Sequence, residues 1–249
     1  MMAHPQTSPH SLPSELQPAV IIPVYNHGRQ ISDVVHQTLK LGLPVFVIDD
    51  GSTDSTAQAL EQIKDIHVLD HPVNRGKGAA ILTGLTAASK NGCNLAITLD
   101  GDGQHNPEDA WNLINVYKEG ERCIVIGTRQ GMLKGKNVPW TSRFGRKFSN
   151  FWVWTSGGPW LDDSQSGFRL YPVAETLELI VKARRYQFEV EVLVKAKQSG
   201  IPIKNAPVSV VYQGKGERVS HFRPWLDFWR NSTTFSRLIF IRIFRMLRP

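Results

Sequence analysis

Short apolar segments alternate with segments of helical periodicity along the first half of the chain, and this alternation limits the fold more than any other feature. Strands are predicted at 19–22, 44–48, 67–69, 95–99 and 124–126, and the helices between them at 31–41, 55–63, 79–90 and 107–117. This pattern predicts an α/β fold in which a mainly parallel sheet is covered by helices on both faces. Ligands of such sheets bind beyond the carboxyl ends of the strands, so the residues that follow each strand are the candidates for function.

The second half of the chain has a different pattern. Residues 130–165 are rich in Gly, Trp, Arg and Lys and show no clear periodicity. Two helices and a last strand are predicted after them, at 173–182, 188–198 and 207–212. The second of these helices stops before Gly200, a residue type that commonly ends helices. Glu189 and Glu191 lie near its start, and we expect at least one of these acids to face solvent.

The net charge of +7 is unevenly distributed. Residues 201–249 hold nine Lys and Arg and only two acidic residues, so the rest of the chain is neutral. A basic excess confined to one tail needs a local explanation and does not by itself indicate nucleic-acid binding. Cys93 and Cys123 fit no paired metal or redox spacing, and we expect two buried thiols and a cytoplasmic location. No apolar run approaches the roughly 20 residues that span a bilayer.

Two adjacent carboxylates, Asp49 and Asp50, follow the second predicted strand. A turn and a helix cap account for the polar residues at 52–54, but they do not account for carboxylates at the strand end itself. A carboxylate in this place can accept a hydrogen bond from the N–H edge of a uracil or guanine base. Asp50 is therefore a candidate for nucleotide binding.

The fourth predicted strand is followed by Asp100 and Asp102, with a glycine between them. Farther on, Asn106 suits a helix N-cap and Pro107 suits the first helical position, so capping explains the acids that come next. Capping explains neither Asp100 nor Asp102. Two carboxylates in this spacing can converge on one Mg²⁺ or Mn²⁺ ion, which completes its coordination with water and substrate phosphates.

A glycine-rich basic segment at 74–80 lies between these two motifs and opens a helix. Ile81 stands where a dinucleotide-binding fingerprint requires glycine, and Gly78 stands where a P-loop requires Ser or Thr. Two interpretations remain. One is a flexible helix N-terminus that carries Lys77 and suits an anionic group, and the other is a tight turn.

Six motifs occur in order along the chain: Pro23-Val-Tyr25-Asn26, Val47-Ile-Asp-Asp-Gly-Ser-Thr-Asp54, Asn74-Arg-Gly-Lys-Gly78, Asp100-Gly-Asp-Gly-Gln104, Gly127-Thr-Arg129 and Ser166-Gly-Phe-Arg169. With this set the sequence resembles the family 2 glycosyltransferases, in particular the dolichyl-phosphate and polyprenyl-phosphate mannose or glucose synthases. The resemblance covers about residues 18–222. It implies a GT-A fold and the inverting transfer of a sugar from a GDP- or UDP-sugar.

The resemblance also implies roles for single residues. The nucleotide base would be held by Pro23, Tyr25 and Asp50, with Asn26 in the same motif, and the metal and donor diphosphate by Asp100, Asp102 and Gln104. The family's late Arg-x-x-Gly-x-Ser-Lys motif is replaced here by a segment that contains Lys215, Arg218 and His221, and His27 stands where those synthases have Glu. Both departures touch the phosphate contacts of the donor or the acceptor.

The acceptor is open between a lipid phosphate and a hydroxyl group. A lipid phosphate is already anionic and needs no strong base, and Arg129, Arg143 and Arg169 would position it. A hydroxyl group needs a general base, and Asp163 matches the family's Asp three residues before Ser-Gly-Phe. We favour a polyprenyl phosphate because the resemblance points to it and because Arg and Lys cluster in this half of the chain.

Residues 235–248 form a predicted amphipathic helix. At about 100° per residue, Arg237, Arg242, Arg245 and Arg248 share one side, and Phe, Ile, Leu and Met fill the rest of the circle. A basic stripe opposite a broad apolar face is typical of a helix that lies on a membrane surface. The competing interpretation is a helix that packs on the catalytic domain or on a second subunit.

These predictions divide the chain into a disordered segment (1–17), a GT-A domain (18–222, with a nucleotide-sugar half at 18–129 and an acceptor half at 130–222) and a basic membrane-surface helix (223–249) at the cytosolic face of a membrane. A sugar-phosphate nucleotidyltransferase would share the metal, but it carries a glycine-rich basic loop after its first strand, where this chain has Pro23-Val-Tyr25-Asn26. A nucleic-acid-binding protein would explain the basic tail and leave the acidic strand ends without a role.

Overall fold

A computed structural model of the protein describes residues 12–118, 122–129, 150, 153–160, 166–209, 233–240 and 243–244. Its strands are β1 (Pro18–Val24), β2 (Val45–Asp49), β3 (His67–Asp70), β4 (Leu95–Thr98), β5 (Ile124–Arg129), β6 (Arg169–Pro172) and β7 (Ile203–Val208). They form one sheet in the order β3-β2-β1-β4-β6-β5-β7. β1 pairs in parallel with β2 and β4, and β7 pairs in parallel with β5. The predicted mainly parallel sheet is confirmed.

The exception is β6, which runs antiparallel between β4 and β5. The sequence analysis did not predict this strand. It has only four residues, begins with Arg169 and ends with Pro172, and all four are buried. A short segment with a charged residue and a proline lacks the apolar run that marks a central strand, so its position in the sheet depends on its neighbours.

The last strand also differs from its prediction. β7 spans Ile203–Val208, whereas the predicted strand began at residue 207. The polar residues Lys204 and Asn205 interrupt the apolar pattern in the first half of this strand, so the sequence does not predict it. In the structure only the second half alternates between buried and exposed residues. Among the described residues β7 pairs only with β5, and an edge strand tolerates polar residues and a proline such as Pro207.

In the described part of the chain, the sheet is accompanied by α1 (Ile31–Leu39), α2 (Thr56–Glu61), α3 (Lys77–Lys90), α4 (Ala110–Lys118), α5 (Val173–Glu178) and α6 (Phe188–Gln198). A turn of 3₁₀ helix, Pro107–Asp109, leads into α4, and the side chain of Asn106 caps it as predicted by accepting from the backbone N–H of Glu108. α5 is shorter than predicted because Ile180 has a positive φ of 48°, which leaves the helical conformation.

Helices pack on both faces of the sheet, and β1 contributes to both cores. Ala19 and Ile21 point to the face covered by α3 and α6, and Val20 and Ile22 point to the face covered by α1 and α4. Successive strand residues face opposite sides, so a strand buried on both sides must be apolar throughout. Both predicted buried thiols are confirmed.

Residues 233–240 are helical, and we call them the tail helix. Its Phe235 and Leu238 are buried in a small core, together with Val153, Val190 and Val194. One guanidinium nitrogen of Arg237 lies 2.6 Å from the Glu191 carboxylate.

The packing interpretation therefore holds for Phe235 and Leu238, whereas Arg237, a member of the predicted basic stripe, is ion-paired with Glu191 and remains partly exposed. Phe240, Ile243 and Phe244, which follow, are exposed. Arg242, Arg245 and Arg248 lie outside the described residues. None of the described helices is long and apolar enough to cross a membrane.

Leu238→Ala should lower the free energy of unfolding by about 2–5 kcal/mol, because it opens a cavity between the tail helix and α6. Phe240→Ala, two positions farther along the same helix, removes an exposed ring and should change it by less than about 0.5 kcal/mol. Urea unfolding followed by circular dichroism measures both. Equal, small effects would show that the tail helix does not contribute to the folded core.

Candidate active site

The carboxyl ends of β1, β2 and β4 meet at one edge of the sheet. β2 and β4 pair with opposite sides of β1, so the chain order reverses between β1 and β4. Parallel sheets form their ligand crevices at such a point. The loops that begin with Tyr25, Asp50 and Asp100 therefore lie side by side.

Asp50 is buried and accepts three hydrogen bonds from its own chain. Its Oδ1 accepts hydrogen bonds from the backbone N–H of Arg75 at 2.9 Å and from Nδ1 of His71 at 2.7 Å, and its Oδ2 accepts from the N–H of Gly76 at 2.7 Å. A carboxylate offers about four acceptor positions, so about one is left for a ligand. The first role of Asp50 in this structure is to hold the loop that leads into α3.

The loops after β1 and β2 are tied together by short polar side chains. Oδ1 of Asn26 accepts from the N–H of Thr53 at 2.7 Å, and the N–H of Asn26 donates to Oγ of Ser52 at 2.9 Å. Asn26 has a positive φ of 55°, which Asn tolerates better than most residues. Its amide is thus occupied in shaping the crevice, while Tyr25 is half-buried beside it.

The acid pair, Asp100 and Asp102, occupies the loop after β4, and its two carboxyl groups are in different electrostatic states. Burial opposes ionisation of Asp100, but the charge and hydrogen bond of Lys77 outweigh it and hold the pKa of Asp100 below its usual range. Burial and then the charge of Asp100 raise the pKa of Asp102 above its usual range, although the N–H of Gln104 donates to it at 3.1 Å. A divalent cation between them would relieve this repulsion.

Lys77 supplies the positive charge beside the acid pair. Its Nζ lies 2.7 Å from Oδ1 of Asp100 and 2.6 Å from Oε1 of Glu189. Burial acts to lower the pKa of Lys77, but the two carboxylates raise it above its usual range, so the side chain is an ammonium ion. The structure thus brings two residues of separate motifs, Lys77 and Asp100, into direct contact.

The first turn of α3 packs against the segment that leads into α6. The N–H of Ala79 donates to the carbonyl of Arg184 at 2.8 Å. A Cβ placed on Gly78 would lie 2.5 Å from Cβ of Phe188, so glycine is required there for close packing. The start of α3 is therefore closely packed, and Lys77 reaches the crevice through its side chain. A role for this turn in binding an anionic group stays a prediction.

Gly167 closes the site from the other half of the chain. A Cβ on this residue would lie 2.5 Å from Nζ of Lys77 and 2.6 Å from Oδ2 of Asp100. The backbone just before β6 therefore rests directly on the Lys77–Asp100 contact. A side chain at this position would displace one of the two charged groups.

Arg169 does not occupy the position that the sequence predicted. It is 0% exposed, and its guanidinium donates to the backbone carbonyls of Ser166 and Glu189, each at 2.7 Å. A buried guanidinium that donates to main-chain carbonyls cannot grip an acceptor phosphate at the surface. The assignment of Arg169 as an acceptor-binding residue is therefore wrong, and its role is to join the start of β6 to the start of α6.

Glu189 is the site residue that the sequence analysis missed. Both Glu189 and Glu191 are buried, contrary to the expectation that at least one faces solvent. Glu191 accepts from the N–H of Ala183 at 2.9 Å and pairs with Arg237. The signal was present in the sequence as two acids interleaved with Phe188, Val190 and Val192. Their closest cationic partners, Lys77 and Arg237, come from distant segments.

Several predicted site residues cannot be placed. Arg129 is the last residue of β5, and its side chain lies outside the described residues. Asp163, Lys215, Arg218, His221 and Arg143 also lie outside them. Their assignments remain predictions.

The donor set at the acid pair fits a hard divalent cation. Among the described residues, no cluster of three or more His, Cys, Asp or Glu side chains is arranged to hold a metal. Mg²⁺ characteristically uses one or two carboxylates and takes its other ligands from water and substrate phosphates. Asp100, Asp102 and Gln104 supply oxygen atoms of this kind in one loop.

The fold is that of a GT-A glycosyltransferase. Mannosyl-3-phosphoglycerate synthase from Rubrobacter xylanophilus superposes with a TM-score of 0.65 over 94% of this chain and 76% of that chain, at 16% sequence identity. The family model for glycosyl transferase family 2 matches residues 19–194. The protein belongs to this family and is a glycosyltransferase, and not a sugar-phosphate nucleotidyltransferase.

Two curated relatives match over most of their length. A UDP-N-acetylglucosamine–dolichyl-phosphate N-acetylglucosaminyltransferase of Methanococcus voltae is 29% identical over 213 residues, which cover 78% of this chain and 85% of that protein. A polyprenol monophosphomannose synthase of Mycolicibacterium smegmatis is 27% identical over 203 residues, which cover 76% of each. The resemblance to lipid-phosphate sugar transferases inferred from the motifs is confirmed at the level of the family and its named relatives.

Asp50→Asn should lower the free energy of unfolding by about 1–3 kcal/mol, because an amide N–H₂ cannot accept from the loop and leaves a buried donor without a partner. Asp70→Asn changes an exposed carboxylate at the end of the adjacent strand β3, and it should have little effect. Urea unfolding compares the two. If the variants are equally stable, Asp50 does not hold the loop.

Proposed function

We propose that this glycosyltransferase carries a sugar from a GDP- or UDP-sugar to a polyprenyl phosphate, at the cytosolic surface of a membrane and with Mg²⁺ or Mn²⁺. The observation that carries the proposal is the acid pair at the end of β4, with one carboxyl group neutralised by Lys77 and the other left with a raised pKa. The names of two relatives, which refer to dolichyl phosphate and to polyprenol, support the choice of acceptor.

The donor would lie along the crevice between β1 and β4. Pro23 and Tyr25 would contact the nucleotide base, and the remaining acceptor position of Asp50 would receive a base N–H. Asp100, Asp102 and Gln104 would hold the cation, which when bound stabilises the negative charge of the departing nucleotide diphosphate. Lys77 adds a permanent positive charge at the same edge.

The chemical nature of the acceptor determines whether the reaction needs a general base. A lipid phosphate would attack in a single displacement with an oxygen that is already ionised, and Arg129 and Arg143 are the remaining candidates to position it. A hydroxyl acceptor on a glycan or lipid would need Asp163 as general base. The burial of Arg169 removes one of the three arginines on which the phosphate interpretation rested, and the named relatives still favour it.

Contact with the membrane would come from the end of the tail helix. Its first part is anchored on α6, and the exposed Phe240, Ile243 and Phe244 continue beyond the anchored part. Trp154 follows Val153, which packs against the tail helix, and it forms an edge-to-face pair with Trp160 at 6.3 Å; both rings are exposed. Exposed aromatic groups suit the depth of lipid headgroups, and the basic tail suits anionic lipids.

Transfer from GDP- and UDP-sugars to a short-chain polyprenyl phosphate should require Mn²⁺ or Mg²⁺. Asp102→Asn should lower kcat/KM by at least about a hundredfold, because it removes a cation ligand at a surface loop while leaving the fold intact. Radiolabelled product extraction and thermal unfolding measure the two effects. Full activity in EDTA, or in Asp102→Asn, contradicts the metal assignment.

The same assay separates the two acceptor classes. If Asp163→Asn loses all transfer while Arg129→Ala keeps it, a hydroxyl acceptor replaces the lipid phosphate. Loss in Arg129→Ala with activity retained in Asp163→Asn supports the lipid phosphate, since an anionic acceptor needs positioning but no base.

The protein should sediment with phosphatidylcholine vesicles that contain phosphatidylglycerol, and salt should weaken this binding because it screens charge attraction. Phe240→Asp combined with Phe244→Asp should reduce it strongly. Ile180→Asp combined with Val73→Asp is the control, since it places the same two charges on exposed apolar residues outside the tail. If all variants sediment alike, or if none does, the tail helix has a packing role only.

A further inference from the structure

Glu189, Lys77 and Asp100 form a row of three charged groups, and the expected roles of the acid pair do not explain why Glu189 is there. Its carboxylate lies 2.6 Å from Nζ of Lys77, on whose other side stands Asp100 at 2.7 Å. Only about a tenth of the Glu189 side chain is exposed. A buried carboxylate is costly without a cation, so the contact with Lys77 is a strong constraint on both side chains.

The backbone of Glu189 is held in place by Phe188 and Arg169. Phe188 packs on Gly78 and stacks edge-to-face with Tyr171, with ring centroids 6.5 Å apart. The carbonyl of Glu189 accepts from Arg169. The start of α6 is therefore fixed against the first turn of α3, and this arrangement aims the Glu189 carboxylate at Lys77.

The sharing of Lys77 has a consequence for Asp100. If Asp100 were the only partner of the ammonium, a metal ion that took Asp100 would leave a largely buried Lys77 unpaired. With Glu189 on its other side, Lys77 keeps an anionic partner when Asp100 is neutralised by a second cation. The negative charge of Glu189 also partly cancels the positive charge of Lys77 in the electrostatic field at the acid pair.

We propose that Glu189 is a positioning residue, which holds Lys77 beside the acid pair and thereby keeps Asp100 available to a divalent cation. The proposal rests on the function proposed above, because it assumes that the acid pair takes a metal. Glu189 lies in the acceptor half of the chain, but its proposed role is at the acid pair in the nucleotide-sugar half. Glu189 itself touches neither substrate nor metal in this proposal.

Two substitutions that break the same ion pair should have opposite effects on Mn²⁺ binding. Glu189→Gln leaves the whole charge of Lys77 to Asp100 and should weaken Mn²⁺ binding about tenfold. Lys77→Met frees Asp100 and should strengthen Mn²⁺ binding about tenfold in the absence of nucleotide, although transfer is lost. If the contact had only a structural role, both substitutions would weaken Mn²⁺ binding.

Glu191→Gln is the matched control. Glu191 lies two residues farther along α6 and is also buried and ion-paired, but its partners are Arg237 and Lys195. This variant should lose stability and keep its Mn²⁺ affinity within about twofold. Glu189→Asp keeps the charge and should recover most of the affinity that Glu189→Gln loses.

Electron paramagnetic resonance of free Mn²⁺ in titrations of the full chain measures these affinities without any turnover. The double variant Lys77→Met/Glu189→Gln removes both charges of the pair, so neither is left without its partner, and it should bind Mn²⁺ about as tightly as the unaltered protein. It replaces Lys77→Met in the comparison if that single variant does not fold. Steady-state transfer should show a rise in KM for the metal–donor complex in Glu189→Gln that exceeds any loss in kcat.

The outcomes distinguish a failure of the metal assignment from a failure of the role proposed for Glu189. An unaltered protein that binds no Mn²⁺ overturns the metal assignment and this inference with it. An unaltered protein that binds Mn²⁺, with Glu189→Gln and Glu191→Gln both unchanged or both equally weakened, overturns the role of Glu189 alone. Opposite shifts in Glu189→Gln and Lys77→Met, with the control unaffected, support it.

Discussion

The ammonium group of Lys77 lies between two carboxylates that come from different parts of the chain, Asp100 after β4 and Glu189 in α6. Much of the crevice is arranged around this contact. Gly167 has no side chain because its backbone rests on the Lys77–Asp100 pair, and Gly78 has none because Phe188 packs on the first turn of α3. Close approach of these backbones makes a largely buried ion pair possible at the point where the two halves of the protein meet.

The acidic strand ends look alike in the sequence and perform different tasks in the structure. Asp49 accepts from the N–H of Ser52 and shapes a turn, and Asp50 holds the loop before α3 with three hydrogen bonds. Asp100 is paired with Lys77. Asp102 has a raised pKa because burial and the charge of Asp100 both disfavour its ionised form, and this makes it the carboxyl group that gains most from a cation.

The sequence analysis succeeded where structure is local and failed where it depends on distant partners. Alternating apolar runs predicted the parallel strands, and Asn106 predicted the cap of the turn before α4, because neighbouring residues decide both. β6 escaped detection because its four residues are held by β4 and β5 on either side. Arg169 was assigned to a phosphate for its charge, whereas its position at the start of that strand buries it.

The sequence by itself determined the class of fold, the family and the place of the acid pair, since these follow from periodicity and from ordered motifs. Only the tertiary structure decided which charges meet. Lys77 and Glu189 are far apart along the chain, and Arg237 finds Glu191 only after the tail helix packs on α6. The physical reason is that a buried charge is stable only beside its partner, and the partner is chosen by the packing of backbones that no local pattern specifies.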